Sequence, residues 1–322
     1  PGHAQYTRNM VTGASTADLA VILVDARRGL TEQSRRHAAL AGLLGVPQIT
    51  VCVNKMDLAG YAEERFDTVV REFLEFAAGA GLSDITFIPV SALHGDNVVD
   101  RSPAMPWYAG EPLLAHLEGA PEHVGAADGP ARLPVQYVIR GDGSPPARHY
   151  AGRLASGTLR PGDEIVVLPS GARSRIARVT GPRGALAEAS APASVTVVLE
   201  DEIDVGRGDM IARASEAPAA SRELQATLCW LGDAPARPGA TYLLKHTTRT
   251  VRARLDEIED RLDVATLERA GADELELNAI GRVRLRLGGE LAADPYALSR
   301  ATGAFILIDE GTNDTVGAGM VA

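Results

Sequence analysis

Lysine is almost missing from this chain. Lys55 and Lys245 are its only two lysines, so 30 of its 32 basic residues are arginine. Cysteine is scarce as well: Cys52 and Cys229 lie far apart in apolar runs, and no C-x-x-C pair exists. That excludes a disulfide-stapled scaffold and a thiolate metal finger, and it suits buried thiols in a reducing cytoplasm. No apolar run reaches the roughly 18 residues of a membrane span, so the sequence reads as soluble, without a membrane partner. A basic excess is absent too: 32 Lys+Arg against 42 Asp+Glu leave a formal charge of −10, which argues against a general nucleic-acid coat. Aromatic residues are only 4%. His37, His94, His116, His123, His149 and His246 show no metal-ligand spacing, so no metal ligand is assigned in the visible chain. No G-x-S-x-G elbow occurs. A phosphate loop, G-x-x-x-x-G-K-[S/T], is also absent, because neither lysine follows the required glycine.

What is present has two textures. The chain has 322 residues, which at about 150 per domain predicts two domains, or three smaller ones. Over 1–118, short apolar runs at Leu19–Asp25, Pro47–Val53 and Ile85–Ser91 alternate with helical stretches near 5–16, 31–44 and 62–79. The runs suit parallel strands covered on both faces. In the third helix Phe66, Val69, Val70, Phe73, Leu74 and Ala77 are expected to share an apolar face. Residues 119–132 read as a linker. Beyond it the period becomes two, with Gly/Pro/Asp turns between short strands, as in small barrels. The expected strands are Leu133–Arg140, Arg148–Ala155, Glu164–Leu168, Arg175–Thr180 and Val195–Leu199. After a second linker over 214–221 come Leu224–Trp230, Thr241–Leu244, Thr250–Leu255, Arg282–Leu287, Phe305–Ile308 and Thr315–Ala318. The organisation expected is an α/β domain over 1–118 and two antiparallel β-barrels over 133–213 and 222–322.

The sharpest chemical signal is Asn54-Lys55-Met56-Asp57, directly after the second apolar run. It lies where ligands bind in open α/β sheets, beyond a strand's carboxyl end. A carboxylate at Asp57 can accept two bonds, from guanine N1–H and from its exocyclic amino group, a donor pair adenine lacks. The Asn54 amide can bond N7 and tie the loop. The slim Lys55 stem can lie over the base plane, where a guanidinium fits less well. Ser91-Ala92-Leu93 follows the third run, 34 residues after Asp57, and its backbone N–H groups can face a base oxygen. Pro1-Gly2-His3 lies 51 residues before Asn54; the glycine amide can donate to a terminal phosphate and His3 can orient an attacking water.

Taken in order, these segments resemble the third, fourth and fifth guanine-nucleotide motifs of translation-factor GTPases. Longer stretches are more specific. Pro1–Ser15, Met105–Leu114, Asp201–Met210 and Thr302–Val321 resemble the sulfate adenylyltransferase subunit 1 family over nearly the whole chain. The resemblance implies a P-loop-GTPase-type α/β domain, partial and lacking its P-loop, followed by two small barrels. It implies that GTP is bound through Pro1, Gly2, His3, Asn54, Lys55, Met56, Asp57, Ser91, Ala92 and Leu93. In that assignment His3 is catalytic and the Ala92 amide touches the base. It further implies a heterodimer with the catalytic subunit 2, which holds ATP and sulfate and forms adenylyl sulfate and pyrophosphate while GTP hydrolysis drives the uphill step. The P-loop, the first switch and its Mg²⁺ ligand are not seen, so Mg²⁺ is expected through a part preceding Pro1. The chain reads as a fragment, inactive alone, that lacks roughly the first hundred residues of such a GTPase. No adenylyl-sulfate kinase is visible beyond the second barrel. The competing expectation is an elongation factor delivering aminoacyl-tRNA on the same fold.

Three weaker signals carry bland expectations. Arg207-Gly208-Asp209 reads as a barrel turn. Gly317-Ala318-Gly319 reads as a strand bulge or close packing. Arg282, Arg284 and Arg286 alternate along one strand and share a face, either solvated or turned to an acidic partner.

Overall fold

The computed structural model describes residues 10, 13–121, 127–141 and 148–322. The chain divides into two compact units, 1–123 with 262–269, and 124–261 with 270–322.

The first unit is built on three parallel strands in the order β1 (Leu19–Asp25), β2 (Gln48–Asn54), β3 (Ile85–Pro89). The apolar run of β2 makes it central, and Val51 and Val53 have no exposed surface. Register aligns the carboxyl ends: Asp25 lies opposite Asn54, and Val53 opposite Pro89. Helix α1 (Glu32–Leu43) starts at Thr31, whose hydroxyl accepts the Ser34 N–H at 3.2 Å. Helix α2 (Glu63–Ala80) has Glu63 and Glu64 in its first turn, which suits the positive end of its dipole. It stops at Gly81, a left-handed cap whose N–H returns to Ala77 O. A short helix, α3 (Leu113–Gly119), follows. Two expectations are corrected. Residue 74 lies about 100° round from residue 73, so Leu74 faces solvent while Phe76 completes the buried face with Val69, Phe73 and Ala77. Among the described residues the face of β1 that carries Val21 and Leu23 is not covered as a two-sided parallel strand would be: Leu23 is 60% exposed.

In the second unit both barrels sit together. Ten strands form the first: β4 (Arg132–Pro134), β5 (Tyr137–Arg140), β6 (Arg148–Arg153), β7 (Thr158–Leu159), β8 (Glu164–Leu168), β9 (Ala172–Gly181), β10 (Gly184–Leu186), β11 (Ala189–Ser190), β12 (Ser194–Leu199) and β13 (Met210–Arg213). The main sheet runs β4-β13-β8-β9-β12-β6-β5. Arg132 bridges to Ser156 just past β6, which returns the sheet on itself. Its interior holds Leu133, Tyr150, Leu159, Ile165, Val179, Val197 and Ile211. The single strand expected over Leu133–Arg140 is two, β4 and β5.

Seven strands form the second barrel: β14 (Ala220–Trp230), β15 (Thr241–His246), β16 (Arg249–Leu262), β17 (Arg269–Ala270), β18 (Ile280–Ala292), β19 (Ala304–Ile308) and β20 (Thr315–Val321). Six of them close a ring, β15-β19-β20-β14-β18-β16, because β15 also pairs with β16. Closure leaves no open edge in that ring. Leu228, Trp230, Leu244, Leu255, Val283, Leu285 and Leu307 fill it. A Cβ on Gly319 would lie 2.1 Å from the Phe305 ring, so Gly317-Ala318-Gly319 is close packing in a strand. Gly208 has φ +100° in the turn before β13, the conformation a barrel turn at Arg207-Gly208-Asp209 calls for.

The linker expectations shift at their edges. Arg132 is not linker but the first residue of β4, with a buried side chain. Its guanidinium bonds both oxygens of Asp294, at 3.0 and 2.8 Å, and Glu216 O at 2.6 Å. Asp294 in turn accepts from the Thr302 hydroxyl at 2.6 Å. Of the 214–221 stretch, Ala217 and Ala220 pack on Val166, Leu168, Met210, Ala212 and Ala292, and β14 already begins at Ala220. Alanines can sit in such a seam because they bring no side chain to order. Arg282, Arg284 and Arg286 do share an outward face, and each is ion-paired to acids of β16: Asp260, Glu257 with Glu259, and Asp256.

Candidate functional site

The site is the rim formed by the carboxyl ends of β1, β2 and β3. At the end of β2, Asn54 Oδ1 accepts two backbone N–H groups, from Lys55 at 2.7 Å and from Ala92 at 3.0 Å. Two converging donors identify that atom as the oxygen and leave the amide NH₂ turned the other way. Lys55 then takes φ +65°, a left-handed conformation that costs a non-glycine residue about 1 kcal/mol. That turn caps the 3-10 stretch Met56–Ala59 and directs the lysine stem out of the sheet. Met56 goes the opposite way: it is fully buried, and its N–H donates to Val90 O at 3.2 Å. It anchors the loop from below.

Asp57 is oriented by its neighbours. Its Oδ1 accepts the Ser91 hydroxyl at 2.7 Å, and His94 Nε2 lies 3.9 Å from Oδ2. Ser91 is itself buried, so its hydroxyl is aimed by the fold. Each carboxylate oxygen has two lone-pair directions, so one bond from Ser91 leaves both oxygens able to accept. Leu93 stands out at 83% exposed, the far end of the Ser91-Ala92-Leu93 turn. Pro1, Gly2 and His3 lie outside the described residues.

The loops rest on a second layer that sequence reasoning missed. Asp96 accepts from the Tyr61 hydroxyl at 2.9 Å and the Ser102 hydroxyl at 2.7 Å. Buried Asn97 donates to Pro89 O at 2.9 Å and accepts from the Ser102 N–H at 2.8 Å. Trp107 donates its indole N–H to Tyr61 O at 3.0 Å. Asp25 was missed too. It ends β1, and its Oδ2 accepts from Lys55 Nζ at 3.0 Å and Arg27 Nη2 at 2.7 Å. The forked bond to Arg27, joined by Lys55, holds the Asp25 carboxyl far below the usual range. Its signal was in plain view: a charged residue closing a strand of apolar neighbours.

Chemically, the rim offers a carboxylate with free acceptor directions, an amide NH₂ and an ordered ammonium. This donor and acceptor set fits a flat base that presents two adjacent N–H donors. Among the described residues no group of three His, Cys, Asp or Glu side chains is placed to hold an ion.

The sequence family described as the Elongation factor Tu GTP binding domain matches residues 1–128, and that described as GTP-eEF1A C-terminal domain-like matches 223–322. Sulfate adenylyltransferase subunit 1 of Tolumonas auensis is 47% identical over the whole chain, which covers 68% of that protein. The chain belongs to the sulfate adenylyltransferase subunit 1 family. The family's Chromobacterium violaceum member is 48% identical and 67% covered. The bifunctional enzyme CysN/CysC of Mycobacterium tuberculosis is 54% identical, and the chain spans 53% of it, about half the length of such relatives. Among solved structures, Sup35 complexed with GMPPNP aligns with a TM-score of 0.55 at 24% identity, covering 96% of this chain and 79% of that one. At that identity the likeness is one of fold: an elongation-factor-type GTPase domain followed by a closed six-strand barrel.

Proposed function

We propose that this chain is the guanine-reading and barrel portion of the GTPase subunit of a sulfate adenylyltransferase. In that complex a catalytic subunit 2 joins ATP and sulfate into adenylyl sulfate and pyrophosphate, and GTP hydrolysis drives the uphill step in the cytoplasm. The reading is carried by the full-chain identity to subunit 1 and is supported by the donor pattern of the rim.

In this reading Asp57 accepts guanine N1–H and the exocyclic amino group, with Ser91 fixing the carboxylate's angle. Asn54 Nδ2 donates to N7. Lys55 lies against the base plane. The Ala92 N–H, expected at the base, donates to Asn54 Oδ1 at 3.0 Å, and in this reading it orients the asparagine beside the base. Met56 contributes burial, and Leu93 an exposed apolar edge. Gly2 at the γ-phosphate and His3 at the attacking water are carried by the resemblance alone. The resemblance also implies Mg²⁺ beside the phosphates.

The translation-factor alternative rests on fold. With a formal charge of −10, and with Arg282, Arg284 and Arg286 already facing acids, nothing favours a polyanion such as tRNA. The test pairs two measurements on the full-length protein. Adenylyl sulfate formation with the catalytic subunit is expected to rise when GTP is added. Aminoacyl-tRNA retention at low salt is expected to be absent. GTP-dependent tRNA binding, with no GTP effect on adenylyl sulfate, would overturn the proposal.

A further inference from the structure

The segment after β1 is held from every side. Ala26 N–H donates to Asn54 O at 2.9 Å. Arg65 Nη2, from α2, donates to Ala26 O and Arg27 O, both at 3.0 Å. Glu72, also from α2, accepts the Leu30 N–H at 3.2 Å. Inside this frame the four acceptor directions of the Asp25 carboxylate are all used. Oδ1 takes Arg27 N–H at 3.0 Å and Arg27 Nε at 3.1 Å, while Oδ2 takes Arg27 Nη2 and Lys55 Nζ. The lysine is thus fixed at both ends, by its left-handed backbone with the N–H on Asn54, and by its ammonium on Asp25.

We propose that Asp25 is a positioning residue for guanine recognition: it holds the Lys55 ammonium so that the lysine stem is ordered before the base arrives. The proposal rests on the reading that Lys55 lies against guanine. A free lysine samples many rotamers, and ordering one on binding costs about an order of magnitude in affinity. Asp25 removes that cost in advance. It also offsets the repulsion between the two neighbouring cations, Lys55 and Arg27, that share it. This chain has two lysines against 30 arginines, and one of the two stands here. A slim stem with a compact terminal charge can share a carboxylate already forked by Arg27 more easily than a second guanidinium can.

The bland alternative is that Asp25 only shapes the loop by binding the Arg27 N–H and guanidinium. A double-mutant cycle in the full-length protein separates the two, with GDP affinity measured by calorimetry so that hydrolysis plays no part. Asp25→Asn is expected to weaken GDP about five- to tenfold, and to add less than twofold when Lys55 is already alanine. Arg27→Gln, which leaves the Asp25–Lys55 bond, is expected to change GDP affinity less than twofold. If Asp25→Asn fails to fold, Arg27→Gln decides the matter: a loss of fivefold or more there would mean loop shaping and would overturn the proposal. An Asp25→Asn loss that persists undiminished in the Lys55→Ala background would overturn it too, as would wild-type affinity in Asp25→Asn. Should Lys55→Ala itself leave GDP affinity unchanged, the base-site reading would fail along with it; an Asp25→Asn null beside a large Lys55→Ala loss sinks the positioning role alone.

Discussion

Asp25 and Asp294 each accept a two-pronged bond from an arginine, one at an open rim and the other in the interior between the two barrels. At the rim the Arg27 side chain is 44% exposed, and the carboxylate still takes a second partner, Lys55. In the seam Arg132 and Asp294 are both 2% exposed, and the remaining contacts go to Thr302 and to backbone carbonyls. The same pair of residue types therefore does two jobs. Near water a broken pair is resolvated, so its worth lies in where it points the groups. In the interior a broken pair leaves a charge with nowhere to go. In the proposed reading the rim meets a ligand, while the seam joins the two barrels of one unit.

The contrast is broken most directly at the seam. Arg132→Ala is expected to cost about 3–5 kcal/mol of unfolding free energy by stranding Asp294, measured by denaturant titration. Replacing both, Arg132→Met with Asp294→Leu, should recover most of it. A loss below about 1 kcal/mol for Arg132→Ala would mean that the seam relaxes like a surface.

At the rim the cost should fall on binding and leave folding alone. Asp57→Asn is expected to weaken GTP by about 1–3 kcal/mol and to improve xanthosine triphosphate, because xanthine offers an oxygen where guanine has its amino group. The melting temperature should hold. Unchanged discrimination between the two nucleotides in a titration would remove Asp57 from base recognition.

Protonation sharpens the comparison further. His246 is buried behind the seam, its Nε2–H donating to Thr302 O at 2.7 Å, and burial holds its pKa below the ordinary 6.5. The unfolded chain therefore binds a proton that the folded one refuses as pH falls below about 6.5, and stability declines in that window. His246→Gln should flatten the decline in melting temperature between pH 7 and pH 5; an unaltered slope would assign the acid sensitivity elsewhere. At Asp25 the sign is that of a depressed carboxylate, with its contribution present above pH 4 and lost only under strong acid.

The smallest effect belongs to the outward arginines. Removing Arg284 or Arg286 singly should cost less than about 1 kcal/mol each, since their ion pairs with β16 are largely exposed; Arg282 stands apart, because its partner Asp260 is buried. A larger loss in chemical denaturation would make that row structural.

Much of the fold is legible in the sequence. Leu19–Asp25 was placed to the residue, and the period-two stretches fell on barrel strands, because alternation and apolar runs are local signals. The N-K-x-D pattern carried its chemistry in its own side chains. Strand pairs too short to show a period, such as β7 with β11, could not be seen, and neither could the break between β4 and β5. Leu74 and Phe76 were confused because both are apolar and only the neighbouring elements choose between them.

What the sequence by itself determined was the alternation of elements, the N-K-x-D motif at the end of β2 and a family resemblance. What only the tertiary structure decided were the partners: Asp25 on Lys55, Ser91 on Asp57, Asp96 on Tyr61 and Arg132 on Asp294, the last separated by 162 residues. A motif is local and keeps its meaning in one dimension. A hydrogen-bond partner is set by which strand ends meet in space, and register across a folded sheet is not written in the spacing along the chain.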